Sequence, residues 1–423
     1  MNNNSPWSLF RRIIFRFIFI FFFLNLFPFP LGLIPVVSGF LYNVVDEYFW
    51  NLIVQFLGKS VLDVNEITVR PNGSGDTTWN WLQQLGALII AAVGCIIWSI
   101  ADAKRKNYER LNYWFCVLLR YYLAFTMFNY GFIKVFPLQF GNITTYRLYE
   151  RLGEMSPMGL LWTFMAYSEG YQFFSGLCEV VAGLLLLFRR TTTLGALVAG
   201  GVMLNVFMLN LFFDVPVKIY SFLLVIMSVY LAFDDLKRLW RFFVMNLSTE
   251  PRNLALFSDK KWFKIGRIAL KVIFILGSFG FMFYESWESS QYKDAPKSAI
   301  YGAYSVDEFK KNNVVNKADT LRWQEVFIDR RGTYDMFYLT NESGLRTRIN
   351  FEKNTKNKTI KVSEIADTTS YTLNYIQPDS SSIILKGKFK KDSIYVSMKK
   401  FPQRDFLLTS RGFHWVNEYP FNK

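Results

Sequence analysis

LLRYYLAFTMFNYGFIKVF, residues 118–136, is the stretch on which the fold turns. It is apolar over almost its whole length, and about 20 such residues at 1.5 Å rise cross the roughly 30 Å of hydrocarbon in a bilayer. Two cations nevertheless sit inside it. Arg120, Ala124, Met127, Gly131 and Lys134 recur at spacings of four, three, four and three, which puts both charges and two small residues on one helical face. A charge in hydrocarbon costs roughly 3 kcal/mol and persists only when paired or wetted, so partners are expected on a neighbouring helix.

The helix after it supplies candidates. Gln172, Gly176, Glu179 and Gly183 share one face, and Glu169 lies within about 80° of Glu179 at 100° per residue. Counted from the cytoplasmic ends at Tyr113 and Phe188, Arg120 is roughly 10 Å deep and Glu179 roughly 13 Å, while Lys134 and Glu169 are roughly 31 Å and 28 Å. The depths predict a buried Arg120–Glu179 pair and an outer Lys134–Glu169 pair, with small residues letting the helices approach. Such pairs either lock a bundle or bind a polar head group, a quinone or protons. Asn205, beside Gly201 and Met208 on the fifth span, is expected to be buried and to need a partner, and Asn210, Asp214 and Lys218 extend the polar set outwards. Arg267 and Lys271 on the last span read as snorkelling cations.

Working outward, apolar runs at about 13–41, 79–101, 113–136, 169–188, 191–213, 216–234 and 264–284 predict seven spans in a polytopic α-helical membrane domain over 1–289. The first carries Pro28, Pro30 and Pro35 and is expected to break midway. It reads as an uncleaved anchor, since no small-residue cleavage site follows it. The 423 residues are 52% hydrophobic and 19% aromatic, too apolar for a soluble chain of this size.

The net charge of +15 sorts by side. Sixteen basic residues flank one set of span ends: Arg11, Arg12, Arg16, Lys104, Arg105, Lys106, Arg110, Arg189, Arg190, Lys237, Arg238, Arg241, Arg252, Lys260, Lys261 and Lys264. The opposite loops hold five, Lys59, Arg70, Arg147, Arg151 and Lys218. By the positive-inside rule the first set and the N-terminus are cytoplasmic, and seven crossings place the C-terminal region outside. Topology thus absorbs the basic loops and leaves nothing that calls for nucleic acid.

From 290 to 423 the chain turns polar and carries +8 of the net charge. Ile383, Leu385, Gly387 and Phe389 alternate with Ile384, Lys386 and Lys388, and Ile394, Val396 and Met398 alternate with Tyr395, Ser397 and Lys399. Turn signals DRRG (329–332), NESG (341–344), EKNTKNK (352–358) and QPDSSS (377–382) divide this region into seven or eight antiparallel strands. A small all-β barrel or sandwich follows, with the aromatic tail RGFHWVNEYPFN (411–422) expected to dock on it or at the membrane interface.

One histidine, His414, and three separated cysteines, Cys95, Cys116 and Cys178, exclude bis-histidine haem ligation, a His-rich metal site, a Ser-His-Asp triad in the membrane and a CxxC redox pair. No metal ligand set is expected. No nucleophile motif or Gly-rich phosphate loop appears either, which leaves open whether the protein is an enzyme.

The stretches 118–136, YQFFSGLCEVVAGLLLLFRRTTTLGALVAGGVMLNVF (171–207) and YLAFDD (230–235) resemble the DoxX-type four-helix membrane module, over about 113–235. The resemblance rests on Arg120, the glycine before Lys134, Glu179, Ala182, Gly183 and the Arg-Thr-rich turn into Gly195. It implies a membrane subunit of a redox or quinone-linked system, with Arg120, Glu179, Lys134, Glu169, Gln172 and Asn205 as an intramembrane polar site and a quinone as cofactor. The whole chain is similar to Bacteroidetes envelope proteins, which implies a Gram-negative inner membrane with the β domain in the periplasm. The other reading from the residues is a non-catalytic envelope scaffold or anchor whose basic β domain docks a membrane or periplasmic protein, or lipid. More weakly, the layout resembles the vitamin K-dependent carboxylase-like (HTTM) group, in which Lys134 or Lys218 would be the basic lysine.

Overall fold

The structure is a computed structural model that describes residues 6–64, 66–67, 72–251, 260–297, 299–315, 322–331, 333–364, 369–401 and 405–422. Arg70, Arg252 and the glycine of the DRRG turn lie outside the described residues. The chain divides into two compact units, residues 1–132 with 175–283, and residues 133–174 with 284–423. The sequence boundary at 289 falls inside a helix.

The helices in chain order are α1 (Leu9–Leu26), α2 (Pro35–Tyr42), α3 (Asn51–Gln55), α4 (Thr78–Ala101), α5 (Glu109–Val135), α6 (Thr145–Tyr149), α7 (Pro157–Tyr167), α8 (Glu169–Leu186), α9 (Thr192–Phe212), α10 (Lys218–Phe233), α11 (Leu236–Phe243), α12 (Lys261–Phe274), α13 (Phe281–Asp294) and α14 (Leu407–Ser410). The first span breaks after Leu26, where Pro28 and Pro30 remove donors and α2 restarts with Pro35 at its first position. Five helical stretches among the described residues are long and apolar enough to cross a membrane, six if α10 and α11 count as one span bent by 75°. Seven were expected. The difference lies in α8, where Glu169, Gln172 and Glu179 dilute an 18-residue helix, and in α10, which at 16 residues is short alone.

In the helical unit, α1 packs on α4 around a buried cation. Arg16 donates from Nε to the Tyr108 hydroxyl at 2.9 Å, from Nη1 to Ser99 Oγ at 2.8 Å and from Nη2 to the Asp102 carbonyl at 3.1 Å. Counted at the sequence level only as an inside charge, Arg16 is a fully engaged structural residue. The small faces of α5 and α8 do meet. A Cβ on Gly131 would fall 2.7 Å from Val180 Cγ2 and 3.1 Å from the Gly176 carbonyl oxygen, and one on Gly183 would fall 2.6 Å from the Phe128 ring. The N-terminus of α10 is capped from afar, because the Asp76 carboxylate accepts the backbone N–H of Lys218 at 2.7 Å and of Ile219 at 3.0 Å.

The second unit is built on a closed antiparallel barrel: β1 (Gly302–Lys311), β2 (Trp323–Arg331), β3 (Tyr334–Asn341), β4 (Arg346–Asn354), β5 (Thr359–Glu364), β6 (Ser370–Ile376), β7 (Ser382–Phe389) and β8 (Asp392–Lys400), each paired with the next and β8 closing on β1. Closure runs from Tyr304 opposite Lys400 to Lys311 opposite Ile394, with a bulge between Val306 and Glu308. The alternation works as read: Ile383, Leu385, Ile394, Val396 and Met398 point into one core with Trp323, Phe337 and Phe351, which fills the interior. Gly387 admits the neighbouring strand, since a Cβ there would lie 2.8 Å from the Thr372 carbonyl oxygen. Residues 137–168, between the third and fourth expected spans, contain α6 and α7. Tyr146 of α6 stacks on Tyr338 with centroids 4.1 Å apart and, with Ala303 and Phe327, makes a second small core on the outer barrel wall. In the aromatic tail Phe413, Trp415 and Tyr419 are exposed, and the His414 carbonyl oxygen accepts from Asn417 Nδ2.

Candidate functional site

The six sequence-predicted residues divide between the two units. Arg120, Glu179 and Asn205 belong to the helical unit, and Lys134, Glu169 and Gln172 to the barrel-containing unit. Two of the four charges expected to pair, Glu169 and Arg120, bind other residues. Glu169 binds Lys293 Nζ at 2.9 Å, because α13 brings a lysine that span arithmetic ending at 284 left out. Arg120 Nη1 donates to Thr192 Oγ1 at 3.4 Å, and its guanidinium carbon sits 5.0 Å from the Tyr121 ring centroid. Glu179 and Lys134 are buried, and neither lacks a partner. Gln172 is fully buried and donates Nε2 to the Gly141 carbonyl at 3.0 Å, while its Oε1 has no partner among the described residues.

Asn205 is exposed, contrary to the expected burial. The face of α9 that packs inward runs through Ala196, Ala199, Met203 and Asn210, and Asn205 lies about 200° from Met203. Asn210 is the satisfied buried amide, donating Nδ2 to Ser221 Oγ at 3.0 Å and to the Val217 carbonyl at 3.3 Å. Asp214 accepts from Lys218 Nζ at 2.9 Å, so this polar set is structural cross-bracing at the start of α10.

What surrounds Arg120 was not legible in advance. The helical unit holds a cavity of about 730 Å³ between α5, the α8–α9 turn and α12, with Phe29 and Pro30 also on its wall. Arg120, Arg189, Arg190, Arg267 and Lys271 line it, and among the described residues no Asp or Glu does. The rest is mostly apolar, including Val117, Leu118, Leu270 and Phe274. Lys271 Nζ lies 3.6 Å from the Phe188 ring centroid. Arg120 senses Arg189 as a like charge, and Lys271 senses both Arg120 and Arg267, so these cations converge. Arg120 Nε is buried without a hydrogen-bond partner. The two arginines at 189 and 190 had been absorbed by topology, and the signal that could have found them is that their turn abuts a helix carrying two further cations.

The barrel-containing unit has its own charged cluster. Asp335 accepts from Arg330 Nε at 3.2 Å and Lys353 Nζ at 3.1 Å, and Lys353 also donates to the Tyr301 hydroxyl. Burial pushes the Asp335 carboxyl up, but hydrogen bonds from Tyr301, Lys353 and Arg330 outweigh it and hold the pKa below the ordinary value. Arg331 is pushed down to about 10 by burial, with Arg147 and Arg348 adding repulsion. It faces a pocket of about 10 Å³ lined by Asn142, Thr144 and Arg147, room for one water. On the outer wall, Lys361, Lys386, Lys388 and Lys399 are exposed, and the Tyr395 ring has Lys310 Nζ 5.1 Å and Lys386 Nζ 5.2 Å from its centroid.

These features define a class: a chain with helices long and apolar enough to span a membrane, joined to an eight-stranded antiparallel barrel. The chain is 35% identical over 119 residues to the uncharacterized protein YwoB of Bacillus subtilis strain 168, a match spanning 28% of this chain and 75% of that protein. It belongs to the family of YwoB. No protein-family model matches the chain, and no solved structure matches it, so the DoxX-like and HTTM-like resemblances rest on the quoted residues alone.

Proposed function

We propose that the protein is a multi-pass inner-membrane scaffold whose helical unit anchors an extracytoplasmic barrel that docks an anionic partner. One observation carries this reading. The barrel interior is filled by its own side chains, so the barrel can act only through its outer wall. That wall presents Lys386 beside the Tyr395 ring and has Lys361, Lys388 and Lys399 exposed on it, all four without ion pairs among the described residues. A photo-cross-linking residue at position 395 tests it in cells. A predominant envelope adduct that disappears with Lys386→Glu and Lys388→Glu supports docking; an adduct indifferent to those charges, or none, removes the reading.

A second reading, a membrane subunit of a quinone-linked redox system, is favoured by the apolar cavity beside Arg120, whose walls suit an amphiphile. Redox-active material co-purifying in stoichiometric amount would support it.

A further inference from the structure

We propose that the cavity beside Arg120 binds an amphiphile with a phosphate head group and a long hydrocarbon chain. The inference rests on the helical unit lying in a membrane, and it assigns that unit a ligand in addition to its role as an anchor.

The head group follows from the unmet demand for an anion. A guanidinium offers five N–H donors. Arg120 is 9% exposed, uses Nη1 on one long 3.4 Å bond, and leaves Nε buried without a partner. Even the Thr192 hydroxyl that receives this bond is already committed, donating to the Phe188 carbonyl at 3.0 Å. Lys271 faces an aromatic ring instead of a carboxylate. Neither Arg190 nor Arg267 forms an ion pair among the described residues, and no carboxylate lines the wall. Converging cations in a low-dielectric site are tolerated when an anion neutralises them. Arginines with a lysine suit phosphate oxygens in particular, because the planar fork binds two oxygens at once.

The chain follows from the walls. Inorganic phosphate would satisfy the cations but leave most of about 730 Å³, faced by Val117, Leu118, Leu270 and Phe274, without contacts. A neutral quinone would fill the walls and leave the charges uncompensated. Only a molecule with both parts meets both demands. Trp114 and Trp262 on the same wall are partly exposed, as tryptophans are at the head-group level of a bilayer.

Native mass spectrometry of the full-length protein in detergent, titrated with dioleoyl phosphatidic acid, dioleoylglycerol, decylubiquinone and inorganic phosphate, tests this directly. Phosphatidic acid is expected to bind one to one and at least tenfold more tightly than either uncharged amphiphile. Arg267→Gln and Lys271→Gln are each expected to weaken it at least tenfold, with Lys356→Gln on the barrel unchanged. Arg120→Gln is read only if its melting temperature matches the parent. Equal binding of dioleoylglycerol or decylubiquinone overturns the head-group assignment. Displacement of the lipid by an equal concentration of inorganic phosphate overturns the chain. Undiminished binding in both cavity variants overturns the site. Alkaline carbonate extraction of the native membrane separates the underlying reading: release of the protein defeats membrane insertion itself, whereas retention without phosphatidic acid binding defeats only the site.

Discussion

The carboxylate of Asp329 on β2 accepts the backbone N–H of Thr145 at 2.7 Å and its hydroxyl at 2.8 Å, across 184 residues of sequence. Its other oxygen accepts from Lys297 Nζ at 2.7 Å. The barrel thereby caps the first turn of α6, and Arg346 completes the clamp by reaching Glu154 at 2.9 Å. Asp329→Ala strands buried donors and is expected to destabilise this unit by about 1–3 kcal/mol. Amide hydrogen exchange should show residues 144–150 losing protection before the strands do; uniform loss across the barrel would show that α6 is not separately clamped.

Acid should act on the same unit through Asp335. Its pKa is held below the ordinary value of 3.8 by Tyr301, Lys353 and Arg330, so the stabilisation is present above the unfolded-state pKa and is lost as pH falls through the lowered value. Barrel stability should therefore be level from neutral pH to about 5 and fall below about 4. Asp335→Asn leaves Arg330 and Lys353 without their carboxylate. It should cost about 3 kcal/mol at neutral pH and remove part of the acid-induced loss. Near-ultraviolet circular dichroism against pH decides it, and parallel acid profiles for parent and variant would count against the assignment.

The barrel was legible because inward alternation and turn residues are local, and a period of two fixes which side chains share a core. Ile383 and Val396 needed no knowledge of their neighbours. Helix partners were not legible for the converse reason. Periodicity put Arg120 and Lys134 on one face of α5 and Glu179 on one face of α8, and the glycines do bring those helices together. Which cation meets which acid depends on rotation about each axis and on elements outside the arithmetic. Lys293 takes Glu169 from beyond the end of the last expected span. Asn205 and Asn210 are equally polar and five residues apart, and only the packing of α9 on α10 buries the second. The cavity cations escaped because topology already accounted for Arg189 and Arg190.

The α5–α8 contact should tolerate no side chain at Gly183. A Cβ there meets the Phe128 ring at 2.6 Å and the Ala124 carbonyl oxygen at 3.2 Å, so the ring or the backbone must move. Gly183→Leu overpacks the contact and is expected to destabilise the helical unit by about 1–3 kcal/mol or more. Gly201, with open space around its Cβ position, should accept alanine with little change. Melting of the two variants in one detergent compares them, and equal midpoints would show that close approach at Gly183 is not required.

Sidedness gives the last prediction. Lys104 follows α4, Arg189 and Arg190 stand between α8 and α9, and Lys237 follows α10, so successive helix ends of one parity carry the basic clusters. Positive residues near span ends are retained on the cytoplasmic side. With Cys95, Cys116 and Cys178 replaced, a single cysteine at Lys356, exposed between β4 and β5, should react with a membrane-impermeant maleimide in cells whose outer membrane alone is permeabilised. Lys104→Cys and Lys237→Cys should react only after the inner membrane is opened. The inverse pattern would place the barrel in the cytoplasm and mean an even number of crossings. Labelling of all three positions without opening the inner membrane would mean that the intervening helices do not cross it, and would remove the scaffold reading together with the lipid site.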